Sequence, residues 1–378
     1  MRVLLTGGGT AGHINPALAI AETIRKNDPA AVIEFVGIKS GKECDLVPRE
    51  GYPLHFVESM GIRRSLSPAN IKALWLALTS PYAKKTRRIL DEFQPDIVIG
   101  TGGYACWPVM AAAARRKIPT AVHESNALAG LAVRQLQGKV DRIWVNFEGT
   151  KSQLKVPQKC VRVGNPLRGG FGAMSKSDAK KKLDIAEDVT LILSFGGSLG
   201  AEAINRAAVQ LMKKTIASNA SLLHVHATGK RDWEATRSIY QEEGLENVKN
   251  CVLMDYIYDM STYMAAADIV ISRAGAMTLS ELALMQKACI LIPSPHVADN
   301  HQYKNAKALS DAGAALLIEE RELESGELTY AVERLITSSR ERATLEAKIQ
   351  DFADRDANRL IWNEIQRLVK AKETTERT

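Results

Sequence analysis

Short apolar runs alternate with longer amphipathic or alanine-rich runs along almost the whole chain. In the first part, the apolar runs predict buried strands at 2–6, 32–36, 96–100 and 119–123. The longer runs predict helices at 16–27, 68–92 and 107–117. Apolar strands separated by helices are typical of a parallel sheet covered by helices on both faces.

The same rhythm restarts after a glycine-rich and then lysine-rich stretch at 168–182, which predicts a domain junction. Further strands are predicted at 190–195, 222–227, 251–254, 268–272 and 289–293, with a helix at 201–216. A charged helical stretch at 337–374 has no strand after it. The pattern predicts an α/β protein of two doubly wound, Rossmann-like domains, at 1–163 and 164–345, followed by a C-terminal helix at 346–378.

Composition narrows the class of protein. The 378 residues are 46% hydrophobic and 25% charged, as in a soluble globular protein. No apolar run approaches the roughly 18 residues that span a bilayer, and the first strand reaches glycines too early for a signal peptide. The five cysteines are scattered, without a C-x-x-C pair, which favours reduced thiols in a cytoplasmic protein.

The net charge of +7 is unevenly placed. Residues 59–90 contain no Asp or Glu, and apolar residues there interleave with basic ones: Arg63, Arg64, Lys72, Lys84, Lys85, Arg87 and Arg88. This pattern suits an anionic membrane surface, although a partly buried helix with solvated basic side chains would also produce it. Nucleic acid is disfavoured, because no recognition motif or aromatic stacking pattern accompanies the charge.

Glycine clusters follow three predicted strands. Gly7-x-Gly9-x-x-Gly12 matches the dinucleotide-binding fingerprint, but the second strand does not end in the carboxylate that would hold a nicotinamide or flavin ribose. Residues 196–200 form a second glycine loop, and Gly102-Gly103 follows the strand at 96–100. Two halves facing each other across a cleft would place two phosphate-binding loops on one site, as a reaction between two diphosphate-bearing substrates requires.

Seven motifs then occur in order along residues 2 to about 310, from the N-terminal glycine loop to an Asn-His-Gln segment. They are GGTAGH at 8–13, GGY at 102–104, HESN at 123–126, GNPLR at 164–168, GGSLG at 196–200, SRAGAMTLSE at 272–281 and DNHQYKNA at 299–306. Together they resemble the MurG family of bacterial cell-wall N-acetylglucosaminyltransferases, in glycosyltransferase family 28.

This resemblance implies the two-domain GT-B fold, with the C-terminal helix packing back on the first domain. It implies inverting transfer of GlcNAc from UDP-GlcNAc to the C4 hydroxyl of the MurNAc of lipid I, forming lipid II for peptidoglycan. A polyprenyl-linked acceptor implies a peripheral enzyme at the cytoplasmic membrane face, docking through 59–90, with other cell-wall enzymes as further partners.

The resemblance also implies roles for individual residues in both halves. Glu281 would bind the ribose and the backbone near Ile257 the uracil. The diphosphate would lie among Ser198, Arg273, Gly275, Ala276, Met277 and Thr278. Asn126, Gln302 and Asn305 would hold the sugar, while Thr10, Ala11, Gly12, Tyr104 and Arg168 would line the cleft. Three residues depart from many relatives: Ala11 and Ser125 replace glycine and glutamine, and His301 stands where a second glutamine often precedes Gln302.

The catalytic base is best sought at the first glycine loop. An imidazole suits proton removal from an attacking hydroxyl near neutral pH, and the positive end of a helix would help to keep His13 unprotonated. A binding role for His13 stays open, and His123 with Glu124 forms the rival catalytic pair.

No metal cofactor is expected. The only D-x-D, Asp354-Arg355-Asp356, is predicted to lie on a solvated helix face, and His224-x-His226 lacks a third ligand. Three other functions remain open: a diacylglycerol glycosyltransferase of the same fold, a non-hydrolysing UDP-GlcNAc epimerase, and a silent nucleotide-sugar-binding subunit.

Overall fold

A computed structural model describes residues 1–57, 81–103, 105–197, 200–297 and 300–377, and the chain divides into two compact units. The first unit comprises residues 1–168 together with 354–378, and the second comprises 169–353. The domain limits predicted from the sequence, after residues 163 and 345, lie a few residues before the limits of these units, which fall after residues 168 and 353.

The first unit is a parallel sheet with helices on both faces. Its described strands are β1 (Arg2–Thr6), β2 (Val32–Gly37), β3 (Leu54–Phe56), β4 (Ile97–Gly100), β5 (Thr120–Glu124), β6 (Arg142–Val145) and β7 (Cys160–Arg162). They pair in the order β3-β2-β1-β4-β5-β6-β7. The helices are α1 (Ala11–Asn27), α2 (Glu43–Arg49), α3 (Pro81–Phe93), α4 (Cys106–Arg115) and α5 (Leu131–Leu136).

The second unit repeats this architecture. Its described strands are β8 (Thr190–Phe195), β9 (Leu222–Ala227), β10 (Cys251–Met254), β11 (Ile269–Ser272), β12 (Ala288–Leu291) and β13 (Leu316–Leu317), paired in the order β10-β9-β8-β11-β12-β13. The helices are α6 (Lys176–Lys182), α7 (Glu202–Leu211), α8 (Trp233–Glu242), α9 (Met260–Ala266), α10 (Ala276–Leu284), α11 (His301–Asp311), α12 (Glu327–Thr337) and α13 (Ser339–Ile349). The prediction of two doubly wound α/β domains is confirmed.

The core explains why these strands read as continuous apolar runs. Successive side chains of a strand point to opposite faces of the sheet. In β1, Val3 and Leu5 enter one apolar cluster and Leu4 enters another, and all three are fully buried. Since helices cover both faces, polar alternation is absent.

The C-terminal stretch differs from the single helical run that was predicted. A break at 353–356 separates α13 from the last helix, α14 (Ala357–Arg377), which packs against α1 through the fully buried Ile361 and Ile365. Asp354 lies in this break, where its carboxylate pairs with Arg162 at 2.6 Å. The prediction that Asp354-Arg355-Asp356 lies within a helix is therefore wrong.

The structure differs from the sequence prediction in further details. The short strands β3, β6, β7 and β13 were not predicted. The predicted junction at 168–182 contains a helix, α6, and the first part of the helix predicted at 68–92 lies outside the described residues. Within the described residues, no helix has both the length and the hydropathy needed to cross a membrane.

Candidate active site

The first glycine loop lies at the point where the strand order of the first sheet reverses, between β1 and β4. Ligands of doubly wound sheets bind at this position, beyond the carboxyl ends of the strands. The loops that follow the two strands contact each other directly: the Gly8 N–H donates to the Gly102 carbonyl at 3.3 Å, and the Thr101 hydroxyl donates to the His13 carbonyl at 2.6 Å.

The glycine pair at 102–103 is required by this close approach. Both residues have positive φ, +100° and +85°, which L side chains rarely adopt. A Cβ atom at Gly103 would lie 2.1 Å from the Gly8 carbonyl oxygen, and one at Gly102 would lie 2.7 Å from the His13 ring. The pair thus lets the β4 loop pack against the loop that carries His13.

His13 lies in the first turn of α1 and is partly exposed. Its Nδ1 is 3.3 Å from the Gly8 carbonyl oxygen and 3.3 Å from the Thr10 hydroxyl. Since a carbonyl oxygen can only accept, the contact with Gly8 requires the proton on Nδ1. In the neutral ring, Nε2 is then the basic nitrogen.

Glu43 is the residue at this loop that sequence analysis missed. Its side chain is fully buried, and its two oxygens accept from the Gly9 N–H at 2.9 Å and the Ile38 N–H at 2.8 Å. The Gly9 N–H is therefore bonded to a carboxyl group of the protein itself, and in this structure it does not face a ligand. The glycines at 37 and 41 that precede Glu43 were the available signal.

His123 is packed into the first unit as a structural side chain. It is 1% exposed, its Nε2 lies 2.9 Å from the Gly164 carbonyl oxygen, and its Nδ1 lies 3.3 Å from the Ser125 hydroxyl. Burial lowers the pKa of the imidazole to about 4. The structure therefore does not support the alternative in which His123 transfers a proton to substrate.

Glu124 organises the loop after β5. Its carboxyl oxygens accept from the backbone N–H groups of Asn126 and Gly130, at 3.0 and 2.6 Å, and from the Asn126 side chain at 3.1 Å. Burial raises the pKa of Glu124. With its oxygens used in this way, Glu124 holds Asn126 at the carboxyl edge of the sheet.

Arg168 does not join the other predicted residues of the first unit. Its guanidinium pairs with Glu50 at 2.6 Å and with Glu22 at 3.7 Å. Glu22 follows His13 by nine residues on α1, which is roughly 14 Å along a helix axis. Arg168 is therefore held by these two carboxylates, away from the loop that carries His13.

The other predicted residues of the first unit cluster at the start of α1. Thr10 is the exposed N-terminal capping residue, whose carbonyl accepts from the N–H groups of His13 and Ile14, and Gly12 is exposed beside it. The backbone of Ala11 begins the helix. Tyr104 lies outside the described residues.

In the second unit, the strand order reverses between β8 and β11, and α10 begins just beyond β11. Gly275 precedes the helix, Ala276 and Met277 are buried in its first turn, and Thr278 is partly exposed. Backbone N–H groups in the first turn of a helix carry partial positive charge, which suits a diphosphate. Ser198, on the loop after β8, lies outside the described residues.

Glu281 lies on the same side of α10 as Met277 and Thr278, which precede it by four and three residues. The residue as a whole is partly exposed to solvent, but its carboxyl group is buried. This burial raises the pKa of the carboxyl to about 8. A carboxyl group held largely protonated at neutral pH can both donate and accept hydrogen bonds.

Arg273 is already engaged by protein groups. One guanidinium nitrogen donates to the carbonyls of Ile292 and Pro293, at 3.2 and 3.1 Å, and another forms an ion pair with Glu320. Arg273 therefore ties together the segments that follow β11, β12 and β13.

The two residues of the second unit that were predicted to bind the sugar, Gln302 and Asn305, differ in exposure. Gln302 is partly exposed and accepts from the Ser294 N–H at 2.9 Å. Asn305 is fully buried and donates to the Ala274 carbonyl at 3.3 Å. Asn305 consequently supports the segment before α10 in this structure.

Ile257, near which the uracil was predicted to bind, is 3% exposed. It lies between Tyr256 and Tyr258, whose rings contact edge to face with centroids 4.9 Å apart. This segment follows β10 at the carboxyl edge of the second sheet.

His224 and His226 take part in a buried hydrogen-bond network. Both rings bond the Ser194 hydroxyl, at 2.7 and 2.6 Å, and His226 also contacts the side chain of Asn205 at 3.0 Å. Among the described residues, no group of three or more His, Cys, Asp and Glu side chains is arranged to hold a metal ion.

Two doubly wound parallel sheets, each with a loop or helix start at the point where its strand order reverses, are the features of the GT-B fold. Comparison with known proteins agrees. The glycosyltransferase family 28 N-terminal domain matches residues 3–145, and the family 28 C-terminal domain matches residues 191–361. The chain belongs to glycosyltransferase family 28.

Relatives cover nearly the whole chain. One is the UDP-N-acetylglucosamine–N-acetylmuramyl-(pentapeptide) pyrophosphoryl-undecaprenol N-acetylglucosamine transferase of Acetivibrio thermocellus, 38% identical over 98% of this chain and 99% of the relative. The crystal structure of MurG from Acinetobacter baumannii is similar with a TM-score of 0.73 and 26% identity, over 97% and 99% of the two chains.

The fold is also shared with an enzyme of another activity. The UDP-GlcNAc 2-epimerase of Neisseria meningitidis matches with a TM-score of 0.63 over 97% of this chain and 100% of its own, at 14% identity. At that identity the match concerns the fold alone.

The raised pKa of Glu281 predicts a pH dependence of stability. Between the ordinary glutamate pKa of about 4.3 and the folded value, the folded protein holds a proton that the unfolded chain has released, so stability falls as pH rises. The thermal midpoint of Glu281→Gln should therefore fall less than that of the wild type from pH 5 to 8.5. Parallel curves for the two proteins would contradict this, and Glu324→Gln, at an exposed site, is the matched control.

Proposed function

We propose that this protein transfers GlcNAc from UDP-GlcNAc to the C4 hydroxyl of the MurNAc in undecaprenyl-diphospho-MurNAc-pentapeptide (lipid I), with inversion, to form lipid II. The observation that carries the proposal is the 38% identity to the Acetivibrio thermocellus transferase over 98% of the chain. The diacylglycerol, epimerase and silent-subunit alternatives have no specific observation in their favour.

In this proposal, the second unit holds the nucleotide. The start of α10 at Gly275 and Ala276 offers backbone N–H groups to the diphosphate, and Glu281 bonds the ribose diol. The segment around Ile257 offers backbone groups to the uracil. The developing negative charge on the leaving UDP is stabilised by the helix start, and by Arg273 once the diphosphate replaces Glu320.

His13 acts as the general base on the acceptor. The acceptor oxygen attacks the anomeric carbon from the face opposite the diphosphate, and its proton passes to Nε2 of His13. The bond from the anomeric carbon to the diphosphate oxygen breaks, and UDP keeps the electron pair. The contact of Nδ1 with the Gly8 carbonyl supports this role, because it leaves Nε2 as the basic nitrogen.

A membrane surface is the proposed partner of the first unit. Helix α3 exposes Lys84, Lys85, Arg87 and Arg88 while Ile89, Leu90 and Phe93 are buried in the core. Exposed basic side chains attract anionic lipid headgroups, and a lipid-linked acceptor requires such proximity. The remaining basic residues of this window, Arg63, Arg64 and Lys72, lie outside the described residues. The proposed location is the cytoplasmic face of the membrane.

The direct test is transfer of radiolabelled GlcNAc from UDP-GlcNAc to a short-chain lipid I analogue, with and without EDTA. We expect a labelled diphospholipid product in both samples. Tight UDP-GlcNAc binding without transfer would contradict the acceptor assignment. Loss of transfer in EDTA, restored by Mg²⁺, would contradict the expectation that no metal is required.

Substitution of the proposed base should slow chemistry without weakening donor binding. We expect His13→Gln to lower kcat at least about tenfold, because general bases typically contribute about a hundredfold or more, while the UDP-GlcNAc Kd stays nearly unchanged. His55→Gln is the matched control, since His55 pairs with Glu34 on the neighbouring strand β2. A His13→Gln enzyme of normal kcat would remove His13 as the base.

The basic face of α3 can be tested with vesicles. Replacing Lys84, Lys85, Arg87 and Arg88 with Gln should weaken sedimentation with anionic liposomes at low salt, and the difference should shrink as salt screens the charges. A control variant replaces four exposed basic residues of the second unit, Lys213, Lys214, Lys249 and Arg340, with Gln. Equal vesicle binding by both variants would exclude α3 as the docking face.

A further inference from the structure

Glu43 and His13 are connected through a single peptide group. The peptide that joins Gly8 to Gly9 presents its N–H to Glu43, at 2.9 Å, and its carbonyl to Nδ1 of His13, at 3.3 Å. The two bonds lie on opposite sides of one planar amide. A carboxyl group that accepts from the N–H therefore polarises the same amide whose oxygen faces the imidazole.

The surroundings of Glu43 are shaped around its carboxyl group. A Cβ atom at Gly8, Gly37 or Gly41 would lie 2.2, 2.5 or 2.0 Å from atoms of the Glu43 side chain. Three glycines from two loops thus leave room for one buried acid, and its two oxygens each face a backbone N–H. An amide side chain of the same shape would turn its NH₂ group against one of these donors.

The contact with Glu43 also makes this loop different from a typical nucleotide-binding loop. In a dinucleotide fingerprint, the N–H groups between the strand and the helix face a phosphate. Here the protein's own carboxyl group takes the Gly9 N–H and brings negative character close to the loop, which disfavours a phosphate there. The N–H is used to orient the loop, and the loop carries the imidazole.

We propose that Glu43 is a positioning residue that acts on His13 through the Gly8–Gly9 peptide, holding the imidazole with its proton on Nδ1 and its lone pair on Nε2. When Nε2 takes the acceptor proton, the polarised Gly8 carbonyl stabilises the imidazolium, as a carboxylate does in a catalytic dyad. This inference rests on the proposed base role of His13. Glu43 itself contacts no substrate in this scheme.

The test compares wild type and Glu43→Gln by kinetics and by ¹⁵N NMR of the histidine rings in the full chain, with His13→Gln identifying the His13 signals. We expect Glu43→Gln to lower kcat by about tenfold to a hundredfold, because this is the range seen when an orienting partner is lost. The KM for UDP-GlcNAc should stay within about twofold of the wild-type value. The ¹⁵N shifts should move from the Nδ1–H form toward the Nε2–H form. Glu364→Gln, at another buried glutamate of the first unit, should change neither readout.

The outcomes separate this inference from the proposed function. Normal kcat and an unchanged His13 tautomer in a folded Glu43→Gln protein would overturn the inference while leaving the transferase proposal intact. If the wild type does not use lipid I, the transferase proposal is overturned. If Glu43→Gln nevertheless changes the His13 tautomer, the positioning role is supported.

Folding of the variant is checked by thermal unfolding and UDP binding. If Glu43→Gln does not fold, Glu43→Asp shortens the carboxyl group by one methylene, and the same tautomer change is expected in smaller measure. The wild-type spectrum is decisive in either case, because a His13 ring predominantly in the Nε2–H form would overturn the proposed orientation.

Discussion

The pairing of β1 with β4, and of β8 with β11, creates the two places where the candidate active site is built. At each pair, the strand order of a parallel sheet reverses, and ligands of doubly wound sheets bind at such positions. In the first unit, the two loops approach so closely that only glycine fits at Gly103 against the Gly8 carbonyl. The same approach brings Gly102 against the ring of His13.

In the proposed function, the two units use their loops for different chemistry. In the second unit, the first turn of α10 follows β11 and offers the positive end of a nine-residue helix. In the first unit, Glu43 takes the Gly9 N–H and the Gly8 carbonyl contacts His13. A phosphate-type loop thereby becomes a support for an imidazole, which accounts for a glycine fingerprint in a unit proposed to receive the acceptor. The proposed division of labour places the nucleotide on the second unit and the base on the first.

The sequence predicted the architecture well because the relevant signals are local. Buried strands such as Leu191–Phe195 are continuous apolar runs, and the glycine loops follow them directly. The very short edge strands β3, β7 and β13 carry too few residues to show a pattern. The buried pair of histidines on β9 was predicted to pack or bond locally, and its bonds to Ser194 agree with that interpretation.

The site was less predictable because its decisive contacts join distant parts of the chain. Glu43 reaches Gly9 across 34 positions, and Arg168 pairs with Glu50 across 118, so neither partner can be read from spacing. Motif membership predicted that Asn305 and Arg273 lie near substrate. In the structure, Asn305 is buried and donates to the Ala274 carbonyl, and Arg273 forms an ion pair with Glu320. A motif identifies residues that belong together, but it does not distinguish those that touch the ligand from those that support the loop.

If UDP binds the second unit while the first glycine loop positions the imidazole, the two loops should respond differently to UDP. Hydrogen–deuterium exchange of the intact chain, with and without saturating UDP, measures this difference. We expect slower exchange at 255–259 and 275–281, with exchange at 7–13 unchanged. Protection of 7–13 as strong as that of 275–281 would contradict it, because the first loop would then hold the nucleotide phosphate.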